Sequence, residues 1–250
     1  MRDFSKNQQY GNVGNAGDVL KHFVLVNLLV AVKESLKPKE NLHYVAPFAF
    51  RPSAPCSWEE WERHAERLLP SGGSHHWYQS IEAARAAKKL EYLCSVGLAL
   101  ELLGGVASKL IVAEQRPAER QELESTVCHV YESAHKLVKA LPSSLLDSGP
   151  VVALIDPFKF DERPRRVALG FLNAVKGRPW AVALFDSTEE GLDHRFGTVF
   201  GDCLIGLRTE PTGKGRKVHV ALAASHQLRE LVGQVAGGCG LDVAIVADYA

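Results

Sequence analysis

The sequence Val-Val-Ala-Leu-Ile-Asp-Pro at positions 151–157 decides the expected fold of this chain. Its unbroken apolar run is typical of a strand that is buried on both faces, as strands of parallel sheets are. An aspartate and a proline follow at once, so a polar turn begins where the strand ends. Proteins built on such sheets bind ligands at the carboxyl ends of the strands. The stretch therefore predicts a parallel sheet and a candidate site at its edge.

Other apolar strands alternate with helical patterns along the chain. Further strands are expected at 42–48, 109–113, 180–185, 203–207, 218–223 and 243–246. Helical periodicity separates most of them, and one helix is predicted from Pro117 to about Leu141. The alternation favours an α/β fold with a mostly parallel sheet and helices on both faces. The stretch 57–90 holds helices without a strand, so we expect a small helical insertion within a single domain spanning 1–250.

The composition is that of an ordinary globular protein. Hydrophobic residues make up 46% of the 250 residues, and lysine plus arginine equals aspartate plus glutamate at 29 each. This balance favours at most a local basic patch for nucleic acid, not attraction by the whole surface. Five scattered cysteines favour reduced thiols of a cytoplasmic protein, without a metal site. No apolar run reaches the length of a membrane span, so we expect no membrane partner, and we favour a monomer.

A glycine-rich segment near the start, Gly-Asn-Val-Gly-Asn-Ala-Gly-Asp-Val-Leu-Lys-His at 11–22, is a second candidate feature. Asp18 is predicted to N-cap the apolar helix that follows it. A glycine-rich backbone at a helix start presents unpaired N–H groups and the positive end of the helix dipole, which suits an anion. Lys21 and His22 add a cation and a titratable donor. An ordinary capped helix explains the same residues, and both interpretations stay open.

Acidic residues follow three of the predicted strands. Glu114 comes after the strand at 109–113, where an acid binds ribose hydroxyls or caps the next helix. Asp156 is followed by Pro157, which withdraws one backbone donor and leaves the preceding carbonyl able to accept from a ligand amine. An ordinary strand-to-helix turn is the alternative there. Asp186 has no proline behind it, and a turn explains it best.

The segment Gly-Asn-Ala-Gly-Asp-Val-Leu-Lys-His at 14–22 resembles the Gly-Asn-His-Ala-Asp-Val-Leu-Lys-His signature of RlmJ-type methyltransferases. The resemblance extends along the whole chain, in the same order. It implies a Rossmann-like methyltransferase sheet with a small helical subdomain inserted early. It also implies transfer of a methyl group from S-adenosylmethionine to N6 of one adenine in 23S ribosomal RNA, so RNA is the implied partner.

The resemblance further implies which residues hold the cofactor. These residues are Lys21, His22 and Ser95, with Phe48 beside the methionine moiety, Glu114 on the ribose, and Glu132 and Ser133 beside the adenine ring. Glu132 and Ser133 stand where the family has Asp-Gly.

The catalytic motif is implied in the same way. Asp156, Pro157 and Phe158 stand where the family has Asp-Pro-Pro-Tyr, whose aspartate and one backbone carbonyl accept from the adenine amine. The tyrosine of that motif stacks on the flipped base, a role left here to Phe158 or Phe160. Basic residues near this motif and in the loop 212–217 are the local candidates for RNA phosphates, with solvated loops as the alternative. They are Lys159, Arg163, Lys214, Arg216 and Lys217.

One departure from the family pattern keeps other functions open. The family's first strand ends in Asp-Thr-His-Ala-Gly-Ala-Gly-Arg-Tyr, whereas this chain has Ala-Pro-Phe-Ala-Phe-Arg-Pro-Ser at 46–53, without glycine or acid. Phe48 and Phe50 are expected to occupy the space of the methionine moiety. A second hypothesis is therefore a catalytically inactive relative that serves as a binding or scaffolding module. A third is an enzyme with a repurposed cleft, in which these two rings form an apolar wall.

Overall fold

The computed structural model of the chain describes residues 13–70, 76–104, 108–127, 129–144, 149–157, 161–188, 195–211 and 217–242. The α-helices of these ranges are α1 (Ala16–Glu34), α2 (Trp58–Leu68), α3 (His76–Ala87), α4 (Ser95–Leu103), α5 (Pro117–Glu124), α6 (Ala134–Ser144), α7 (Glu162–Ala174), α8 (Arg195–Phe200) and α9 (Arg229–Gly238). The strands are β1 (Leu42–Ala46), β2 (Ser53–Ala54), β3 (Tyr92–Leu93), β4 (Ser108–Ala113), β5 (His129–Tyr131), β6 (Val151–Ile155), β7 (Trp180–Thr188), β8 (Leu204–Pro211) and β9 (Lys217–Ala224).

Seven of these strands form one sheet in the order β5-β4-β1-β6-β7-β9-β8. The first five pair in parallel, and β9 runs antiparallel between β7 and β8. This is the mostly parallel, Rossmann-like sheet of the expected α/β fold. The chain order reverses between the neighbours β1 and β6, so their carboxyl ends form the switch point at which such sheets bind ligands.

Helices cover both faces of the sheet, as predicted. Side chains of a strand alternate between the two faces, and in β6 Leu154 packs into one core while Ile155 packs into the other. The first core is shared with α1, α4 and α9, and the second with α6, α7 and α8. Helix α1 is buried on nearly all sides, because α2 and α3 contact it in addition to the sheet and its helical neighbours.

Helix α1 begins at Ala16, so the prediction that Asp18 is its N-cap is wrong. Asn15 has extended backbone, and its side-chain oxygen accepts from the N–H groups of Gly17 and Asp18. Asparagine caps helices as well as aspartate does, and here it comes first in the chain. The carboxylate of Asp18 instead lies in the first turn, where it accepts from the N–H of Gly14 and contacts Lys21.

The single helix predicted from Pro117 to Leu141 is also wrong. Helix α5 ends at Glu124, and β5 follows before α6 begins. The His-Val-Tyr sequence of β5 pairs in parallel with the edge of β4, a tertiary contact that helical periodicity cannot reveal. The strand predicted at 243–246 lies outside the described residues.

Helices α2 and α3 lie within the stretch 57–90, and β2 and β3 on either side of it form a two-stranded antiparallel ribbon. Their standing as a separate helical insertion stays a prediction. Every helix in the described ranges is too short or too polar to cross a bilayer. The described cysteines form no disulfide, and no three potential ligands among the described residues are grouped as a metal site requires.

Candidate functional site

A small cavity lies at the carboxyl ends of β1 and β6, where the strand order reverses. Its volume is about 60 Å³. Its wall is built from the start of α1, the segment after β1, the start of α4 and the end of β6. The lining residues are Val13, Asp18, Lys21, His22, Phe48, Phe50, Cys94, Ser95 and Asp156. The fold therefore brings together Lys21, His22, Phe48, Ser95 and Asp156, which the sequence assigned to a cofactor or a catalytic role.

Lys21 joins two carboxylates at the cavity wall. Its Nζ donates to Asp156 Oδ2 at 2.7 Å and to Asp18 Oδ1 at 2.9 Å. Burial on its own would lower the pKa of Lys21, but the two carboxylates outweigh burial and raise that pKa, so the ammonium stays charged. Burial raises the pKa of Asp156, and the Lys21 ammonium opposes this rise. Lys21 thus holds the Asp156 carboxylate in one place at the end of β6.

His22 begins a chain of buried hydrogen bonds that leads away from the cavity. Its Nδ1 lies 2.5 Å from the Tyr92 hydroxyl, which lies 2.8 Å from the Tyr78 hydroxyl. Trp61 Nε1 donates to the Tyr78 hydroxyl at 3.1 Å. Burial lowers the pKa of His22, and the Lys21 charge lowers it further, so the imidazole is neutral at pH 7. No pattern in the sequence predicted this series of hydrogen bonds.

Glu114 follows β4 as predicted, but its carboxylate is already paired. Arg116 donates from Nη2 to Oε2 at 2.7 Å, from Nε to Oε1 at 3.1 Å, and from its backbone N–H to Oε1 at 2.8 Å. The guanidinium of Arg116 lies 4.6 Å from the centre of the Phe50 ring, which lines the cavity. Arg116 therefore connects the acid expected to hold ribose with the aromatic wall.

The N-terminus of α4 faces the cavity through Cys94 and Ser95. Cys94 is the N-cap of this helix and makes no side-chain capping bond, and Ser95 is its first residue. Both residues are buried. The first N–H groups of a helix have no partner within the helix, so this end suits an acceptor atom of a bound molecule.

The cavity as described does not accommodate S-adenosylmethionine. Pockets that hold drug-sized ligands measure roughly 300–1,000 Å³, whereas this one measures about 60 Å³. Phe48 and Phe50 line it, as the absence of glycine after β1 led us to expect, and Arg116 engages Glu114. Lys21, His22, Ser95 and Asp156 provide polar groups at the cavity, but Glu114, Glu132 and Ser133 do not line it and the space for a cofactor is lacking.

The remaining predicted cofactor residues lie outside the cavity lining. Glu132 is solvent-exposed and forms an ion pair with Lys136, one helical turn further along. Ser133 accepts from the backbone N–H of Lys136 at 3.3 Å, as a residue capping α6 does. Pro157 is buried directly behind Asp156.

Two of the five predicted RNA-contacting residues lie within the described ranges. Arg163 lies in the first turn of α7, where its N–H donates to Asp161, and Lys217 begins β9 and is exposed. Phe158, Lys159, Lys214 and Arg216 lie outside the described residues.

Some contacts of the site had a signal in the sequence and others had none. Asp18 and Lys21 are three residues apart in a helical pattern, a spacing at which opposite charges meet. Glu114 and Arg116 flank one residue in the turn after β4, a weaker signal. Trp61, Tyr78 and Tyr92 come from three different elements, so no local spacing could have joined them.

Solved structures with a similar fold include a Legionella pneumophila protein described by the family model DUF519. Its TM-score is 0.62 at 16% identity, over 92% of this chain and 95% of that one. A Thermobifida fusca protein for which a methyltransferase function has been suggested has a TM-score of 0.43 at 11% identity, covering 86% of each chain. Mycolic acid cyclopropane synthase, solved with S-adenosylhomocysteine, has a TM-score of 0.35 at 8% identity, over 80% of this chain and 82% of that one. No protein-family model and no curated protein matches the sequence. The first similarity concerns the fold, and the other two are too distant to carry an argument.

Proposed function

We propose that this chain is an S-adenosylmethionine-dependent methyltransferase that acts on the N6 amine of an adenine in RNA. The observation that carries the proposal is the position of Asp156. Its carboxylate stands at the carboxyl end of a central strand, beside the switch point of a Rossmann-like methyltransferase sheet, and Lys21 fixes it at the cavity wall. The resemblance of 14–22 to the RlmJ-type signature suggests the substrate class.

Asp156 and Pro157 offer the chemistry that recognition of an amine requires. A carboxylate accepts hydrogen bonds, and a backbone carbonyl of the Asp156–Pro157 turn would be the second acceptor, since a carbonyl oxygen has two lone pairs. Because Lys21 Nζ donates to Asp156 Oδ2 at 2.7 Å, that side chain is held in place as an acceptor for an amine proton. S-adenosylmethionine, when bound, supplies the methyl group. Two fixed acceptors would hold the amine in one orientation, which is the kind of positioning from which enzymes gain rate.

The proposal requires the cleft to open before the cofactor enters. Arg116 must release Glu114 before this carboxylate accepts hydrogen bonds from ribose, and the Phe50 ring must leave the cavity. A protein that is competent to bind only in a minor, open state shows an affinity reduced by the population of that state. We therefore expect weak binding of S-adenosylmethionine by the unmodified chain.

A catalytically inactive binding module is the second candidate, and specific observations favour it. Glu114 is paired with Arg116, and Glu132 is paired with Lys136 at the surface. The cavity has a volume of only about 60 Å³. A relative that no longer binds the cofactor would keep the fold and the Lys21–Asp156 pair without the chemistry.

Calorimetric titration with S-adenosylmethionine separates these candidates. The methyltransferase proposal predicts binding by the native chain, weaker binding by Glu114→Gln, and binding tighter by up to about tenfold in Arg116→Gln, because a charge-assisted pair no longer opposes opening. Arg120→Gln is the matched control, since Arg120 pairs with Glu124 on α5 and not with Glu114. Absence of heat and of thermal stabilisation at millimolar ligand, in both the native chain and Arg116→Gln, favours the inactive module.

A further inference from the structure

The buried chain of hydrogen bonds behind the cavity joins four separate elements. Trp61 lies on α2, Tyr78 on α3, Tyr92 on β3 and His22 on α1. Their exposed fractions are 5%, 0%, 0% and 2%, so no side chain of the four has appreciable contact with solvent. The distances along the chain are 3.1, 2.8 and 2.5 Å. Each link is therefore a formed hydrogen bond, and its protons must be placed consistently.

The donor and acceptor roles in this series of hydrogen bonds are fixed by Trp61, at the end far from the cavity. The indole N–H of Trp61 donates and cannot accept, so the Tyr78 oxygen is an acceptor at that link. Among the described residues, the Tyr78 hydroxyl makes no hydrogen bond to Glu82, one turn along the same helix, and its other partner is the Tyr92 oxygen. Tyr78 must therefore donate to Tyr92. The reverse direction would leave the Tyr78 proton buried without an acceptor, which folded proteins avoid.

Tyr92 then has its own proton to place, and the one remaining partner of its hydroxyl in the described ranges is His22 Nδ1. We infer that Trp61, Tyr78 and Tyr92 act as positioning residues that hold His22 in the tautomer with the proton on Nε2, so that this edge of the ring donates into the cavity. Nδ1 faces Tyr92, and His22 lines the cavity, so the opposite edge is the one that meets a bound molecule.

The Nε2–H tautomer of His22 predicts which kind of ligand atom binds beside this residue in the cavity. A fixed Nε2–H donor binds an acceptor atom, such as an oxygen of a carboxylate or a hydroxyl, and disfavours a second donor. The other tautomer would present a lone pair and reverse this preference. The inference deepens the proposed function and rests on it only for the identity of the acceptor, which would belong to S-adenosylmethionine or the RNA base.

Nitrogen-15 NMR of the histidine side chains tests the tautomer without any ligand. The chain has 10 histidines, and loss of one signal in His22→Gln identifies the imidazole in question. We expect a proton on Nε2, and an Nδ1 resonance displaced from that of an unbonded ring nitrogen. Tyr92→Phe should remove the displacement. Trp61→Phe should remove part of it, because the upstream donor polarises the Tyr92 hydroxyl.

Trp58→Phe is the matched control for Trp61→Phe. Trp58 lies on the same helix and packs against Trp61 and Tyr92 with ring centres 5.7 and 6.1 Å away, but its Nε1 donates to the carbonyl of Leu90. Phenylalanine keeps an aromatic ring against Tyr92 and removes no hydrogen bond of the series, so we expect this control to displace the His22 resonances less than Trp61→Phe does. If Tyr92→Phe does not fold, the native tautomer and the two tryptophan variants still decide the question. A proton on Nδ1 in the native chain, or an equal response to Trp58→Phe and Trp61→Phe, overturns the inference.

Adding S-adenosylmethionine separates this inference from the proposed function. If both hold, the ligand shifts the Nε2–H proton resonance of His22, and Tyr92→Phe weakens binding by up to about tenfold, the worth of one hydrogen bond. An Nε2–H tautomer that does not respond to millimolar ligand upholds the tautomer and contradicts the cofactor.

Discussion

The carboxyl group of Glu82 shows how burial changes the charge state of a single residue. Its side chain on α3 has no exposed surface, and burial raises its pKa to about 8, although Arg85 and the N–H of Leu93 oppose the rise. A carboxyl group in the unfolded chain has a pKa of about 4.3. Between these two values the folded protein holds a proton that the unfolded protein has lost.

We predict that the free energy of unfolding falls as pH rises from about 4.5 to about 8 because of Glu82, and that this contribution is constant above that range. Each unit of pKa displacement corresponds to about 1.4 kcal/mol, so Glu82→Gln should flatten the dependence by a few kcal/mol across this window. Urea unfolding of both proteins at several pH values measures it. His22 contributes an opposite slope, because its lowered pKa favours unfolding below about pH 6.5. This contribution is the same in the native chain and in Glu82→Gln, so it cancels when their stabilities are compared.

Glu124→Gln on the exposed side of α5 is the control for this experiment. It should leave the pH dependence as in the native chain. A Glu82→Gln variant whose stability follows the native pH profile would show that Glu82 is ionised in the folded protein, contrary to the pKa given above.

At the scale of elements, the close approach of α4 to the chain before it depends on Gly97. A Cβ at this position would lie 2.1 Å from the carbonyl oxygen of Pro52, a backbone atom that cannot move aside alone. Gly97→Ala should therefore lower the free energy of unfolding by roughly 1–3 kcal/mol, as overpacking does. It should also move the start of α4, which includes Ser95 at the cavity.

Gly237→Ala on α9 is the matched control, because a Cβ there meets no atom within 4 Å. Alanine is the better helix former, so this change should be neutral or stabilise by up to about 1 kcal/mol. Thermal unfolding of the two variants measures both effects. Equal stability of the two alanine variants would mean that α4 does not pack against Pro52 as described.

The sequence was a good guide to elements with a strong local signal and a poor one elsewhere. The apolar runs of β6 and β7 were found because continuous burial leaves a continuous apolar stretch. Strand β5 was lost inside a predicted helix, because its three residues become a strand only by pairing with β4. The capping error at Asp18 came from two equally good caps, Asn15 and Asp18, within four residues.

The candidate site was predictable in its membership more than in its contacts. The sequence placed Lys21, His22, Ser95 and Asp156 together through a family resemblance and the rule for strand ends. It did not show that Arg116 forms an ion pair with Glu114. Whether an acidic side chain binds a ligand or a neighbouring residue depends on distances in the folded state.

At the scale of the whole molecule, the sheet and the cleft give different indications. The sheet has a Rossmann-like strand order with Asp156 at its switch point, whereas Phe48 and Phe50 line the small cavity and Arg116 is paired with Glu114. Because the net charge is zero, the proposed RNA substrate would have to be bound by local basic groups and not by the surface at large. The proposed function therefore requires a cleft that opens to admit the cofactor.

Transfer of tritiated methyl groups from S-adenosylmethionine to unmodified ribosomal RNA measures the proposed reaction itself. We expect incorporation at N6 of an adenine by the native chain, and a loss of about a hundredfold or more in Asp156→Asn, the range seen when one fixed polar group is removed from a catalytic site. The exposed Asp202→Asn should match the native rate. No incorporation by the native chain at millimolar cofactor would show that the protein is not this methyltransferase, and equal rates for the native chain and Asp156→Asn would show that Asp156 has no catalytic role.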